Sequence, residues 1–214
     1  MDKACRSAID KHCAHWLQSL TEEPQGTHKA RASLVLAKVR GDSPGTDIAT
    51  KLSNMILQSD SESDQAIEGL AYTSLQPKIK EIIVANTALV KCLVTALRDR
   101  PALSFGCLTV FANVTAYKPP ASDEQKKMAQ LKAYANQSKP AEQDPLDNNG
   151  MVTARCKKVL EADIVPAIVA SCKQSTSPST IALAVQILLS LSREQKHRAK
   201  MAQQGAIKLL LQIR

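Results

Sequence analysis

Four residues near the start of the chain, Cys5, His12, Cys13 and His15, are of types that hold zinc. On a helix, Cys5, His12 and His15 project within about a quarter of the circumference. A zinc site needs four well-directed ligands, and Cys13 falls on another face with no second pair elsewhere in the chain, so no metal is expected. Signatures of catalysis are also missing. Gly41 and Gly45 in RGDSPGTD are not followed by the Lys and Ser/Thr that hold phosphate and magnesium, and neither GxSxG nor HExxH occurs. None of the four histidines has an obvious carboxylate partner. The expectation is a protein that is not an enzyme and carries no cofactor.

The polar residues that remain point to binding. Asn113, within FANVTAY, stands in an otherwise apolar stretch, where its amide either faces a groove and pairs with a peptide backbone or bonds internally to a loop. Tyr117 follows it and is a second candidate contact. Lys126, Lys127 and Lys132, together with Lys196, Arg198 and Lys200, are candidate partner-binding cations, with a merely solvated face as the alternative for each. Net charge is +8, concentrated late: Met151 to Arg214 holds ten Lys or Arg against Glu161, Asp163 and Glu194. Such a balance suits an acidic partner. Aromatic residues make up only 3%, which leaves too few stacking platforms for nucleic acid to be the expected one.

These residues must be positioned by helices. The composition is 44% hydrophobic, dominated by Ala, Leu, Ile and Val, and strand-forming aromatic runs are scarce. Ala4 to Leu20 sets Cys5, Ile9, Trp16 and Leu20 at helical spacing; a second helix is expected over Lys29 to Val39 and a third over Asp47 to Leu57. The acidic stretch Asp60 to Asp64 suits a helix start, with phosphorylation at Ser61 or Ser63 as the alternative reading. Longer apolar helices are expected at Ala102 to Tyr117 and Thr180 to Leu191, the first with Gly106 admitting a neighbouring helix.

An internal repeat orders these helices. VLEADIVPAIV matches MAQQGAIKLLL at an offset of 42, and IVANTALVKCL matches the first of these from 76 residues upstream. The excess of 34 falls in the polar, Pro-rich stretch from Lys118 to Gly150, which reads as an insertion carrying one helix around Ser122 to Asn136. Each copy has a short polar helix, a break at Thr87, Asp163 or Gly205, and apolar helices; Asp163 is expected to be an N-cap, with Pro166 in the first turn behind it. The fold expected is all-α, an armadillo-like right-handed superhelix of stacked repeats. It divides into repeats over 1–117, the insertion over 118–150, and further repeats over 151–214.

The stretches EGLAYTSLQPKIKE, LTVFANVTAYKP, EQKKMAQLKAYAN and REQKHRAKMAQQGAIKLLL, spanning Glu68 to Leu211, resemble the UCS family of myosin chaperones, its fungal branch most closely. The first sixty residues match only in helical style. The resemblance implies an armadillo stack that recognises the myosin motor domain and assists its folding, assembly or protection. Animal members add a tetratricopeptide module for the ninety-kilodalton heat-shock chaperone, which this chain lacks. The ending GAIKLLLQIR, within an apolar helix, suggests the central repeats and the neck leading into a further UCS domain. Self-association is compatible with this reading; membrane binding is not expected, since no apolar run approaches about 18 residues. Six cysteines in mostly apolar surroundings and an N-terminus, MDKACRSAID, without a signal-peptide core suggest the cytoplasm. Two rivals have a weaker basis. A transport-receptor-type adaptor would need regularly spaced Trp and Asn, and an RNA-binding repeat would need a recurring base-reading position, whereas Lys78, Ala154 and Lys196 show no such code.

Overall fold

A computed structural model describes residues 3–22, 28–39, 46–58, 62–118, 122–135, 144–174 and 177–212. Among the described residues are thirteen α-helices, two 3-10 turns and no strand. In chain order these are α1 (Lys3–Glu22), α2 (Lys29–Val39), α3 (Thr46–Gln58), α4 (Ser63–Thr73), α5 (Pro77–Ala85), α6 (Thr87–Asp99), α7 (Ser104–Thr115) and α8 (Asp123–Ala135). After them come α9 (Asn149–Glu161), α10 (Ile164–Gln174), α11 (Pro178–Leu191), α12 (Gln195–Gln203) and α13 (Ala206–Gln212). The 3-10 turns are Pro101–Leu103, before α7, and Pro145–Asp147, before α9.

The helices stack in layers. Helices α2, α4, α7 and α11 pack one on the next, and α3, α6, α10 and α13 form a parallel row behind them. Helices α5, α9 and α12 open successive repeats. Boundaries follow the repeat found in the sequence: α9 and α12 end 42 residues apart, at Glu161 and Gln203, and α5 ends at Ala85, 76 before Glu161. The all-α, armadillo-like superhelix read from the sequence is the fold observed.

Helix α6 shows how the pattern sets the packing. Asn86 caps it, accepting a hydrogen bond from the Leu89 amide at 3.0 Å, and Leu89, Val90, Leu93, Val94 and Leu97 form its buried stripe. Pro101 ends this course. Helix α7 is buried on several sides, with Cys107, Leu108, Val110, Phe111 and Val114 all closed to solvent, because α4, α6, α9 and α11 surround it. A Cβ on Gly106 would stand 3.0 Å from the Ile67 methyl of α4, so glycine sets how closely these two helices approach.

Several expectations need correction. In α1 the buried side is Leu17 with half-buried Ile9, Cys13 and Leu20; Trp16 points out, 61% exposed, and Cys5 is exposed. Asp163 is not an N-cap: its backbone is left-handed, φ 57°, as is that of Gly205, φ 93°, at the equivalent corner of the next repeat. Its carboxylate instead faces Gln204 at 3.3 Å and Lys200 at 3.6 Å. At the start of α4, Asp64 pairs with Arg100 at 2.7 Å and the same guanidinium donates to the buried Ser63 hydroxyl at 2.7 Å. Ser61 lies outside the described residues.

The corner geometry makes a prediction. Gly205→Ala places a Cβ in a left-handed conformation and should cost about 1–2 kcal/mol, whereas Asp163→Gly relieves the same strain and should leave stability equal or higher. Urea denaturation of both variants checks the contrast.

Candidate functional site

An apolar opening lies between α4 and α7, on the row formed by α2, α4, α7 and α11. It has a volume of about 550 Å³. Tyr72, Leu75 and Phe105 line it while remaining 44%, 64% and 55% exposed, which is unusual for side chains of this size. Thr109 and Asn113 supply polar lining along α7, and Asp64 and Glu68 do so along α4. Lys38 stands 5.0 Å from the Tyr72 ring centre and 2.8 Å from Glu68, tying α2 to one edge of the groove. The opening is concave and apolar with a few polar groups at its edge, the general character of a binding site.

Sequence-chosen residues fall in several places. Asn113 lines this groove, yet its amide nitrogen donates internally to the Ala71 carbonyl at 3.2 Å and the Ser74 hydroxyl at 2.9 Å, holding the end of α4. Tyr117 lies away from the groove: its hydroxyl meets Thr153 at 2.9 Å and its ring stacks under the Arg193 guanidinium at 4.3 Å. Arg198 donates to the carbonyls of Ser192 and Arg193 at the end of α11, while Lys196 pairs with Glu194 at 3.0 Å and Lys200 with Asp163. Lys127 is exposed on α8; the side chains of Lys126 and Lys132 lie outside the described residues. His12 and His15 are exposed on α1, and among the described residues no group of three His, Cys, Asp or Glu is placed to hold a metal ion. Burial pushes the Cys107 thiol up to about 12 and the Cys156 thiol up to about 11, so both act as apolar filling. No described helix is long and apolar enough to cross a membrane.

A charge cluster closes the body where the repeats resume after α8. Arg155, 1% exposed, donates through Nε to the Val114 carbonyl at 2.9 Å and through Nη1 to Glu81 at 2.8 Å and the Leu146 carbonyl at 2.7 Å. Its Nη2 donates to Asp147 at 3.1 Å. Buried Lys80 reaches both oxygens of the same carboxylate, at 2.9 and 3.1 Å. Burial pushes the Asp147 carboxyl up, but the hydrogen bond from Lys80 and the charges of Lys80, Arg155 and Lys118 outweigh it and hold the group below its ordinary 3.8.

With this geometry in view, the chain can be set beside known proteins. A family described as myosin-binding striated muscle assembly central matches residues 1–73. Protein unc-45 homolog B of Xenopus laevis is 30% identical over 154 residues, 69% of this chain and 16% of that protein. Among solved structures, the UNC-45 chaperone studied for binding and folding muscle myosin superposes with a TM-score of 0.71 at 24% identity, over 92% of this chain and 20% of its own. She4p superposes at 0.70 and 19% identity, over 99% and 27%. In sequence and in fold the chain is similar to the UCS family. It spans about a sixth of the length of the curated relative it matches. UNC-45 from C. elegans, solved with an Hsp90 peptide, superposes at 0.70 and 24% identity, over 94% of this chain and 21% of that one.

The family match falls on residues 1–73, which take in the first sixty residues, where the sequence showed helical style alone, and the start of the resembling stretch at Glu68. Tyr72, Leu75 and Phe105 were missed as groove residues, and so was the Lys80–Asp147–Arg155 cluster. One available signal was the rarity of aromatics: Phe105 is one of only two Phe in the chain, and Phe111 takes the buried place on the same helix.

The cluster sets two outcomes. Asp147→Asn strands two buried cations and should cost about 3 kcal/mol at neutral pH, read from thermal or urea unfolding. Because the folded value of Asp147 is depressed, its contribution is complete above the ordinary 3.8 and lost as pH falls through the folded value. Stability of the native chain should therefore fall more steeply below pH 4 than that of Asp147→Asn, the two curves converging in acid.

Proposed function

We propose that this chain is the central armadillo scaffold of a myosin-directed chaperone, which binds the myosin motor domain and assists its folding, assembly or protection without catalysing a reaction. Repeats over 1–117 and 151–214 flank the insertion at 118–150 and lead toward a further client-binding domain. The observation that supports this best is similarity to UNC-45 and She4p joined to an open apolar groove on one row of the stack. The groove supplies the apolar contact area from which affinity arises. Exposed Lys127, Lys196 and Lys200, outside the groove, steer an acidic client surface rather than fixing it. Asn113 holds the groove wall in place, and Tyr117 ties the chain after α7 to α9. The ninety-kilodalton heat-shock chaperone is a partner of the whole protein, engaged outside these repeats. The setting is the cytoplasm.

The purified chain should retain a myosin motor domain in a pull-down and reduce light scattering from the motor on heating. Phe105→Glu should weaken retention about tenfold, a loss of roughly 1.4 kcal/mol. Failure of the unmutated chain both to retain and to protect the motor would overturn the proposal.

A further inference from the structure

Besides the groove, α8 carries an apolar surface that no described residue covers. Met128, Leu131 and Tyr134 are 55%, 64% and 88% exposed. At successive steps of three they run down one side of the helix over about 9 Å, and Lys127, four residues before Leu131, shares that side. Phe105 to Asn113, the α7 wall of the groove, covers about 12 Å. The groove lining includes the carboxylates of Asp64 and Glu68 and no lysine or arginine, and each carboxylate stays about half exposed beside its cation. An apolar stripe with a lysine meets an apolar groove with two carboxylates.

We propose that the occupant of the α4–α7 groove in the free protein is α8 of the same chain. Leu131 enters between Tyr72 and Phe105, Met128 and Tyr134 cover its flanks, and Lys127 lies along the Asp64–Glu68 edge. The chain length permits this. From Lys118 to Asp123 the backbone spans at most about 17 Å, and from Ala135 to Asp144 at most about 31 Å. The groove's near end, at Asn113, is two residues before the end of α7. A 13-residue helix laid antiparallel to α7 ends about 20 Å back along it, within reach of the second connection. Asp147 anchors that connection through Lys80 and Arg155. Tethering favours the same chain over a second copy, since a short connection corresponds to an effective concentration in the millimolar range. Any partner segment entering the groove then displaces α8. This does not depend on which client the protein serves.

Photo-crosslinking of the full chain tests it, with p-benzoylphenylalanine in place of Leu131. The expected product is an intramolecular crosslink to the segments containing Tyr72, Leu75 or Phe105, mapped by mass spectrometry in the monomer band. Phe105→Glu, and separately Leu75→Glu, should lower its yield about tenfold with an unchanged melting midpoint. Crosslinks to other surfaces, crosslinks only between two chains, no crosslink at all, or a yield indifferent to both variants would each overturn the assignment.

Discussion

The stack depends on one buried guanidinium. Arg155 belongs to α9, the first helix after the insertion, and its donors reach the end of α7, the 3-10 turn at Pro145–Asp147, and Glu81 of α5. Those partners come from segments up to 74 residues away. Removing such a charge from water costs several kcal/mol, and only full satisfaction of its donors together with a paired carboxylate offsets that. Asp147 supplies the carboxylate, and Lys80 occupies the oxygen that Arg155 leaves open. An apolar contact would let α9 slide along α5 and α7 with little penalty. The four directed hydrogen bonds of Arg155 admit one register.

That register is inherited by every later repeat. Once α9 is placed, α10 packs on α6, α11 on α7 and α13 on α10. Within each repeat the corner between its first two helices must turn sharply, and the chain solves this in two ways. Asn86 turns in an extended conformation and caps the next helix with its side chain, whereas Asp163 and Gly205 turn in the left-handed region. Asp is among the few residues with a side chain that tolerate that region, and at Gly205 the missing Cβ removes the strain altogether. The repeat therefore conserves the direction of the corner while its chemistry varies.

Helices and repeat register were legible because they rest on local periodicity: α2 spans Lys29–Val39 as read, and the offsets of 42 and 76 reappear in the ends of α5, α9 and α12. Orientation was less legible. Trp16 shares a helical face with Cys5 and Leu20, but α2 covers α1 on the side of Leu17, so the largest side chain of that helix faces water. The charge cluster was hidden for a different reason. Arg155 sits in ARCKK, a run that reads as solvated, and its carboxylate partner Asp147 lies in a polar turn within the insertion. Pairing of Lys80 with Asp147 across 67 residues leaves no periodic trace. The groove was hidden too, because exposed and buried apolar residues of α7 share one composition.

The fate of the basic excess shows where binding energy can come from. Of the late cations, Arg155 is buried, Arg198 holds the last carbonyls of α11, Arg193 stacks on Tyr117, and Lys196 and Lys200 face nearby carboxylates. A charge count thus overstates the free positive surface, and exposed pairs of this kind contribute little on their own. Tyr72, Leu75 and Phe105 differ in kind. Each keeps apolar area in water that a partner could remove, and they converge on one opening whose walls are fixed from behind by Gly106 against Ile67 and by Asn113 against the end of α4. Rigid walls lose little entropy when filled, so the groove converts buried area into affinity more efficiently than mobile surface lysines can.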